Sequence, residues 1–285
     1  MNVLKLAIQK SGRLSENSFQ LLKECGIKLP NEDRKLRSTA SNFPLEILYL
    51  RNDDIPKYVE QGVADIGIVG WNEMVEHSPD VELTEYLGFA SCRLCLAIPK
   101  DEPYQDISYF RNKRIATSYP ETLKKFFAEQ NIPVDIEEIG GSVEIAPSIG
   151  LADAIFDIVS TGSTLLMNGL KEVHTVLKSE AVLIKNHHLG KEKEELLQKL
   201  IFRIQAVKNA RENKYILLNA PNDALPKIID ILPGMKSPTI LPLAEAGWSS
   251  LHSVVKEDEF WDIIDQLKNL GAQGILVCSI EKMVI

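Results

Sequence analysis

The sequence predicts an α/β fold in two parts: a two-lobed stretch of alternating strands and helices, then a ferredoxin-like βαββαβ domain. Three observations carry this. Apolar runs of strand length alternate with helical patterns through the first two-thirds of the chain. A segment beginning at Gly62 is echoed by one beginning at Gly150. Beyond residue 213 the order changes to strand, helix, two strands, helix, strand.

The elements follow from local chemistry. Leu4–Ile8 is an apolar strand, the polar turn Gln9-Lys10-Ser11-Gly12-Arg13 follows, and a helix over Glu16–Cys25 is ended by Gly26. Asp53 or Asp54 caps a helix that has Pro56 in its first turn and stops at Gly62. Gly62-Val-Ala-Asp65-Ile-Gly-Ile-Val-Gly70 and Gly150-Leu-Ala-Asp153-Ala-Ile-Phe-Asp157-Ile-Val-Ser160 both run through Ala-Asp into a buried strand that finishes in small residues. Two lobes of similar build, with a ligand cleft between them, account for the echo. Ser91–Ile98 is a strand, so Cys92 and Cys95 face opposite sides and serve packing; no second pair completes a zinc site. The neighbouring His187 and His188 lie in a loop. Arg114–Thr117 is a strand, and Ser118-Tyr119-Pro120 opens the next helix. The polar stretch His188–Glu195 connects to a helix over Glu194–Glu212.

In the last part, Lys214–Asn219, Thr239–Leu243, Leu251–Val255 and Gly274–Val277 are strands, and Ala224–Leu232 and Glu259–Leu270 are helices, the second ended by Gly271. Residues 1–95 with 180–212 are assigned to a first lobe, 96–179 to a second, and 213–285 to the C-terminal domain.

Length and composition agree. A chain of 285 residues, 45% apolar and 25% charged, fits two or three globular domains. No apolar run approaches the roughly 20 residues of a membrane helix, and Lys5 inside the first apolar run is unlike a secretory signal. The expectation is a cytoplasmic protein with no membrane partner. A net charge of -8 argues against nucleic acid as partner and leaves small anions open.

The strongest chemical signal is Asp157-Ile-Val-Ser160-Thr161-Gly162-Ser163-Thr164. A buried strand opens into small hydroxyl residues and a helix start, where unpaired N–H groups and the helix dipole favour an anion. Gly162 allows close backbone approach. Asp153 and Asp157 upstream suit ribose hydroxyls or a bridging Mg²⁺. There is no Gly-Lys-Ser/Thr, so this is not the Walker loop. Gln9–Arg13 supplies two cations and a flexible backbone in the same strand-to-helix setting, suited to a polyphosphate. Arg51, Gly70, Arg93 and Tyr119 fall at strand ends or helix starts, where α/β clefts put their ligands.

Gln9-Lys-Ser-Gly-Arg-Leu14, Ala64-Asp-Ile-Gly-Ile-Val-Gly70, Arg114-Ile-Ala-Thr-Ser-Tyr-Pro120, Gly141-Ser-Val-Glu-Ile-Ala-Pro147, Asp157–Thr164 and Ser237-Pro-Thr-Ile-Leu-Pro-Leu243 together resemble ATP phosphoribosyltransferase, the first enzyme of histidine biosynthesis. With a C-terminal domain present, the chain is similar to the long form. The resemblance implies a periplasmic-binding-protein-like catalytic part. It implies transfer of phosphoribosyl from phosphoribosyl pyrophosphate to N1 of ATP, with Mg²⁺ and release of pyrophosphate. It places Ser160, Thr161, Gly162, Ser163 and Thr164 on the 5-phosphate, Asp153 or Asp157 on the ribose, and Glu144 on ribose or Mg²⁺, with Asp153 also a metal ligand. Lys10 and Arg13 neutralise pyrophosphate, and Gln9, Ser11, Gly12, Arg51, Gly70, Arg93 and Tyr119 lie with them on the ATP side. Histidine as feedback inhibitor would meet Asn219, Met235, Thr239, Ser253, Val254 and Gly274. Asn219 replaces an acidic residue that some members carry, and Asp223 is the alternative source of that contact. The resemblance also implies a homo-oligomer, from dimer to hexamer. A solute-binding module and a phosphoribosyltransferase acting on another base are the rival readings.

Overall fold

The first strand, β1 (Leu4–Gln9), forms where Leu4, Leu6, Ala7 and Ile8 are all fully buried. Such a near-continuous apolar run suits a parallel strand covered on both faces. The computed structural model describes residues 3–30, 36–232, 234 and 236–285. After β1 come α1 (Arg13–Glu24), β2 (Arg37–Thr39), β3 (Leu45–Leu50), α2 (Ile55–Glu60), β4 (Ile66–Gly70), α3 (Trp71–His77) and β5 (Glu82–Tyr86). The chain then enters a second sheet with β6 (Cys92–Pro99), β7 (Arg114–Thr117), α4 (Pro120–Gln130), β8 (Asp135–Glu138), β9 (Ala154–Val159), α5 (Ser163–Met167) and β10 (Leu170–Ser179). It returns to the first sheet for β11 (Ala181–Lys185).

The two sheets repeat one plan. The first has the order β2-β3-β1-β4-β11-β5, the second β8-β7-β9-β6-β10 when read in the same direction. In each, a central pair runs parallel, β1 with β4 and β7 with β9, and the next strand on one side is antiparallel. The sequence echo is therefore an echo of topology. Gly62 and Gly150 both adopt positive φ, 70° and 74°, ending the turn that precedes each strand. Asp65 N–H donates to the Lys5 carbonyl at 2.9 Å while the Asp65 carboxylate accepts from Lys5 N–H at 2.8 Å. Asp153 repeats this with Arg114, at 2.8 and 2.9 Å.

That repeat corrects one expectation. Asp153 immediately precedes β9 and stitches it to the start of β7, with the Arg114 guanidinium 3.9 Å away. The Ser160–Thr164 loop leaves the other end of the strand, roughly 20 Å off at the rise of an extended chain. Asp153 therefore belongs to the frame of the second lobe and lies outside the catalytic, ribose and metal roles expected of it.

Other differences are smaller. Strand β6 lies wholly in the second sheet, so the change of sheet falls before Cys92, not after residue 95. Helix α1 starts at Arg13, three residues early, because Gly12 takes φ 95° and releases the chain from β1 at once. Gly26 ends it at φ 75°, as the sequence predicts. Asp54 is the residue before α2, yet its side chain makes no capping hydrogen bond. Cys95 is buried and Cys92 half-buried, in keeping with opposite faces.

By Cα packing the chain divides into Met1–Leu197 and Gln198–Ile285. Helix α6 (Lys191–Glu212) begins three residues before its predicted start. Then come β12 (Asn213–Pro221), α7 (Leu225–Ile231), β13 (Thr239–Pro242), β14 (Trp248–Lys256), α8 (Glu257–Asn269) and β15 (Gln273–Ser279). The sheet order β13-β14-β12-β15, antiparallel throughout, is the ferredoxin-like arrangement. Ile216, Leu218, Ala220, Leu251 and Val255 alternate onto one face and pack with Leu225, Ile228, Phe260 and Leu267 of the two helices. Among the described residues, no helix is long and apolar enough to cross a membrane.

Candidate active site

In open α/β sheets the loops at the carboxyl ends of parallel strands line the ligand crevice. Here those loops are Gln9–Gly12 after β1, Gly70–Asn72 after β4, Ser118–Tyr119 after β7 and Ser160–Gly162 after β9. Hydrogen bonds across the two lobes bring them to one place. Arg13 Nη1 donates to Ser160 Oγ at 3.2 Å, joining residues 147 apart in sequence. Tyr119 Oη donates to Glu73 at 3.4 Å and accepts from Asn72 Nδ2 at 3.3 Å. The Glu76 carboxylate accepts from the N–H groups of Glu121 and Thr122 at 2.8 and 2.9 Å and from Thr122 Oγ1 at 2.6 Å. An acid of α3 thus caps α4 of the opposite lobe.

The Ser160–Thr164 loop has the local form of an anion cradle. Gly162 sits at φ 80°, ψ 0°, a left-handed conformation that opens α5. Thr161 Oγ1 and Ser163 Oγ lie 3.0 Å apart, and Ser160, Thr161, Ser163 and Thr164 are exposed. Two guanidinium groups converge on Ser160: Arg13 on its hydroxyl, and Arg93 Nη1 on its carbonyl at 3.0 Å.

Asp157 lies half-buried just before the loop, opposite Cys95 on β6. Burial pushes its carboxyl up to about 6; the Ile158 N–H opposes this, and the charge of Glu144 adds to it. Burial likewise raises Glu73, against the pull of His77 at 3.3 Å, and lifts the Tyr119 phenol well above its usual range. Perturbed titratable groups from both lobes therefore gather at one cleft, as they do in catalytic sites. Among the described residues no three His, Cys, Asp or Glu side chains form a group that could hold a metal. A Mg²⁺ would rest on one or two carboxylates and substrate oxygens, its common habit. Glu144 and Asp157 suit that; Asp153 does not.

The remaining ATP-side candidates separate into two settings. Arg93 and Ser160 line a cavity of about 570 Å³ with Trp71, Tyr86, Lys178 and Glu180. Lys10 and Arg51 line another of about 590 Å³ with Arg37, Tyr49 and Tyr58. Gln9, Ser11 and Gly12 form the turn between β1 and α1. Gly70 is required by packing, since a Cβ there would stand 2.3 Å from Asn72 Oδ1. Asn72, Glu73 and Glu76 escape the sequence reading. Their only signal is an amide and an acid in the helix start directly after the buried strand β4, with Glu76 one turn further on.

In the C-terminal domain, Asn219 lies beside Gly274, its Nδ2 3.6 Å from where a Cβ on Gly274 would stand. Thr239 pairs with His252, next to Ser253. Ser253 is buried, and its Oγ has no hydrogen-bond partner among the described residues. Strand alternation turns Val254 to the opposite face from Ser253. Asp223 is exposed. Met235 lies outside the described residues.

A two-lobed α/β cleft with a hydroxyl-rich loop at a strand end, followed by a ferredoxin-like domain, is the class of protein that fold and site define. The family model described as "ATP phosphoribosyltransferase" matches residues 51–206, and that for the "HisG, C-terminal domain" matches residues 210–282. An ATP phosphoribosyltransferase of Phocaeicola vulgatus is 56% identical over 99% of this chain and 100% of its own. One of Cytophaga hutchinsonii is 57% identical over 99% of each. A solved ATP phosphoribosyl transferase (HisG:HisZ) complex from Thermotoga maritima matches at TM-score 0.61 and 30% identity, over 71% of this chain and 99% of that one. A histidine kinase sensor domain with similarity to periplasmic binding proteins, 9% identical at TM-score 0.50 over 74% of this chain and 92% of that one, shares the fold alone. The chain belongs to the ATP phosphoribosyltransferase family in its long form, transferases that open histidine biosynthesis.

Proposed function

We propose that the cleft joins N1 of the ATP adenine to C1 of the ribose of phosphoribosyl pyrophosphate. The convergence of Arg13 and Arg93 on Ser160, from opposite lobes, carries this reading. The N1 lone pair forms the new bond as the C1–O bond breaks, and pyrophosphate leaves with the bonding electrons. Positive charge grows on the sugar and negative charge on the leaving group, so fixed charges and alignment dominate over any single acid or base. Ser160, Thr161, Gly162, Ser163 and Thr164 hold the 5-phosphate. Asp157 accepts from the ribose hydroxyls and faces the charge developing on the ring. Lys10 and Arg13 draw the pyrophosphate away, while Gly70, Arg93 and Tyr119 border the nucleotide, with Gln9, Ser11, Gly12 and Arg51 at its polyphosphate side. Mg²⁺, held by Glu144 or Asp157 with the substrate oxygens, would neutralise the polyphosphate.

The same reading makes residues 213–285 the seat of feedback inhibition by histidine, around Asn219, Thr239, Ser253, Val254 and Gly274. The buried Ser253 hydroxyl, without a hydrogen-bond partner among the described residues, supports it. Self-association into dimers and hexamers belongs to it as well.

The test is pyrophosphate release by the purified protein with Mg²⁺, ATP and phosphoribosyl pyrophosphate, with and without histidine. Release that needs both substrates and falls with histidine is expected. No release from folded protein, with pyrophosphatase present, would overturn the transfer reading; release indifferent to histidine would overturn the inhibition alone.

A further inference from the structure

Glu172, half-buried on the edge strand β10, gathers five hydrogen bonds on one carboxylate. Arg93 Nε donates to its two oxygens at 2.9 and 3.1 Å, and Arg93 Nη2 donates to Oε2 at 2.6 Å. Cys95 Sγ and Thr175 Oγ1 both donate to Oε1 at 3.0 Å. These donors, Arg93 first, hold the Glu172 carboxyl down at about 2, so it is ionised at any pH where the protein works. Burial, with Glu172 as acceptor, pushes the Cys95 thiol up to about 12 and keeps it a neutral donor.

The consequence lies on β9. A bidentate carboxylate fixes the plane of a guanidinium that otherwise samples many rotamers. With Nε and Nη2 held by Glu172, Arg93 presents Nη1 to the Ser160 carbonyl at 3.0 Å. In a trans peptide the carbonyl and the next N–H point opposite ways. Drawing the Ser160 oxygen toward Arg93 therefore aims the Thr161 N–H, the first backbone donor of the loop, away from it. Three strands of the second sheet, β10, β6 and β9, take part in this relay.

We propose that Glu172 is a positioning residue for the phosphoribosyl substrate: through Arg93 it sets the Ser160–Thr161 peptide, and with it the first N–H offered to the 5-phosphate. The proposal rests on reading Ser160–Thr164 as the phosphate loop. Charge and shape are separable by substitution. Glu172→Gln keeps the volume but loses the charge that locks Arg93. Glu172→Asp keeps the charge at shorter reach.

The experiment combines steady-state kinetics with direct binding of ribose 5-phosphate and phosphoribosyl pyrophosphate, and a melting curve for each variant. For Glu172→Gln, KM and Kd for phosphoribosyl pyrophosphate should rise about tenfold, a modest loss of one charge-assisted contact. The Tm should fall by a few degrees, because the donors on Glu172 lose an anionic acceptor. KM for ATP should rise less than KM for phosphoribosyl pyrophosphate, and Glu172→Asp should recover part of each loss. Arg93→Lys should weaken the same constant, and the double variant Arg93→Lys/Glu172→Gln should be no worse than the poorer single one. An unchanged KM for phosphoribosyl pyrophosphate, or equal rises in both KM values, would overturn the positioning role. Wild-type protein that binds neither ribose 5-phosphate nor phosphoribosyl pyrophosphate would instead remove the phosphate-loop reading beneath it.

Discussion

Burial holds the Asp157 carboxyl near 6, above the ordinary range, although the Ile158 N–H donates to it at 2.7 Å. A raised folded-state pKa means that its contribution to stability is complete below the unfolded value near 4 and is lost as pH rises through about 6. Asp157→Asn removes that cost, so it should raise unfolding free energy at pH 8 by about 1–3 kcal/mol and leave it little changed at pH 4. Denaturant midpoints at the two pH values check this. The same variant should lower kcat/KM by about a hundredfold, because a neutral amide cannot balance charge on the ribose. A stability gain with an activity loss marks a group kept for chemistry. In the wild type, kcat/KM should fall as pH drops through about 6, the range in which Asp157 gains its proton.

At the scale of elements, the two βα units built on β4 and β9 set apart aspartates that look alike in sequence. Asp153→Ala should cost about 1–2 kcal/mol, since it deprives the Arg114 N–H of its acceptor. It should leave kcat/KM within about twofold, because the residue sits at the far end of β9 from the loop. Equal kinetic damage from Asp153→Ala and Asp157→Asn would return Asp153 to the active site. Helix α4 tests the lobe contact in the same way. Its first turn is capped by Glu76, a buried acid 46 residues away from Thr122. Glu76→Ala should lower the unfolding free energy by about 1–3 kcal/mol, with Glu76→Gln losing less because one acceptor oxygen stays. Urea midpoints at pH 8 would show the ranking.

For the whole molecule, the catalytic lobes and the ferredoxin-like domain each have their own sheets and cores. Removal of residues 214–285 should therefore preserve ATP-dependent release of pyrophosphate from phosphoribosyl pyrophosphate while abolishing the effect of histidine. Histidine inhibition that survives in this truncation would move the effector site into the lobes.

What the sequence determined by itself is what short stretches of chain control. The hydroxyl run after Val159, the glycine ends at Gly26, Gly62 and Gly271, and the strand–helix order of the last domain all follow from rules that act within a few residues. So does the echo of Gly62 in Gly150, which reflects the repeated plan of the two sheets. Element starts slipped by up to three residues, at Arg13, Lys191 and Trp248, because cooperative helices and paired strands grow past their strongest local signals. Tertiary structure alone decided which of the look-alike residues meet. Asp153 and Asp157 carry the same carboxylate, yet opposite ends of one strand give one to the frame and the other to the cleft. Arg13 reaches Ser160 across 147 residues, Arg93 reaches Glu172 across 79, and Glu76 reaches Thr122 across 46. Contacts at such separations depend on how complete sheets close around their cores, which no local pattern encodes.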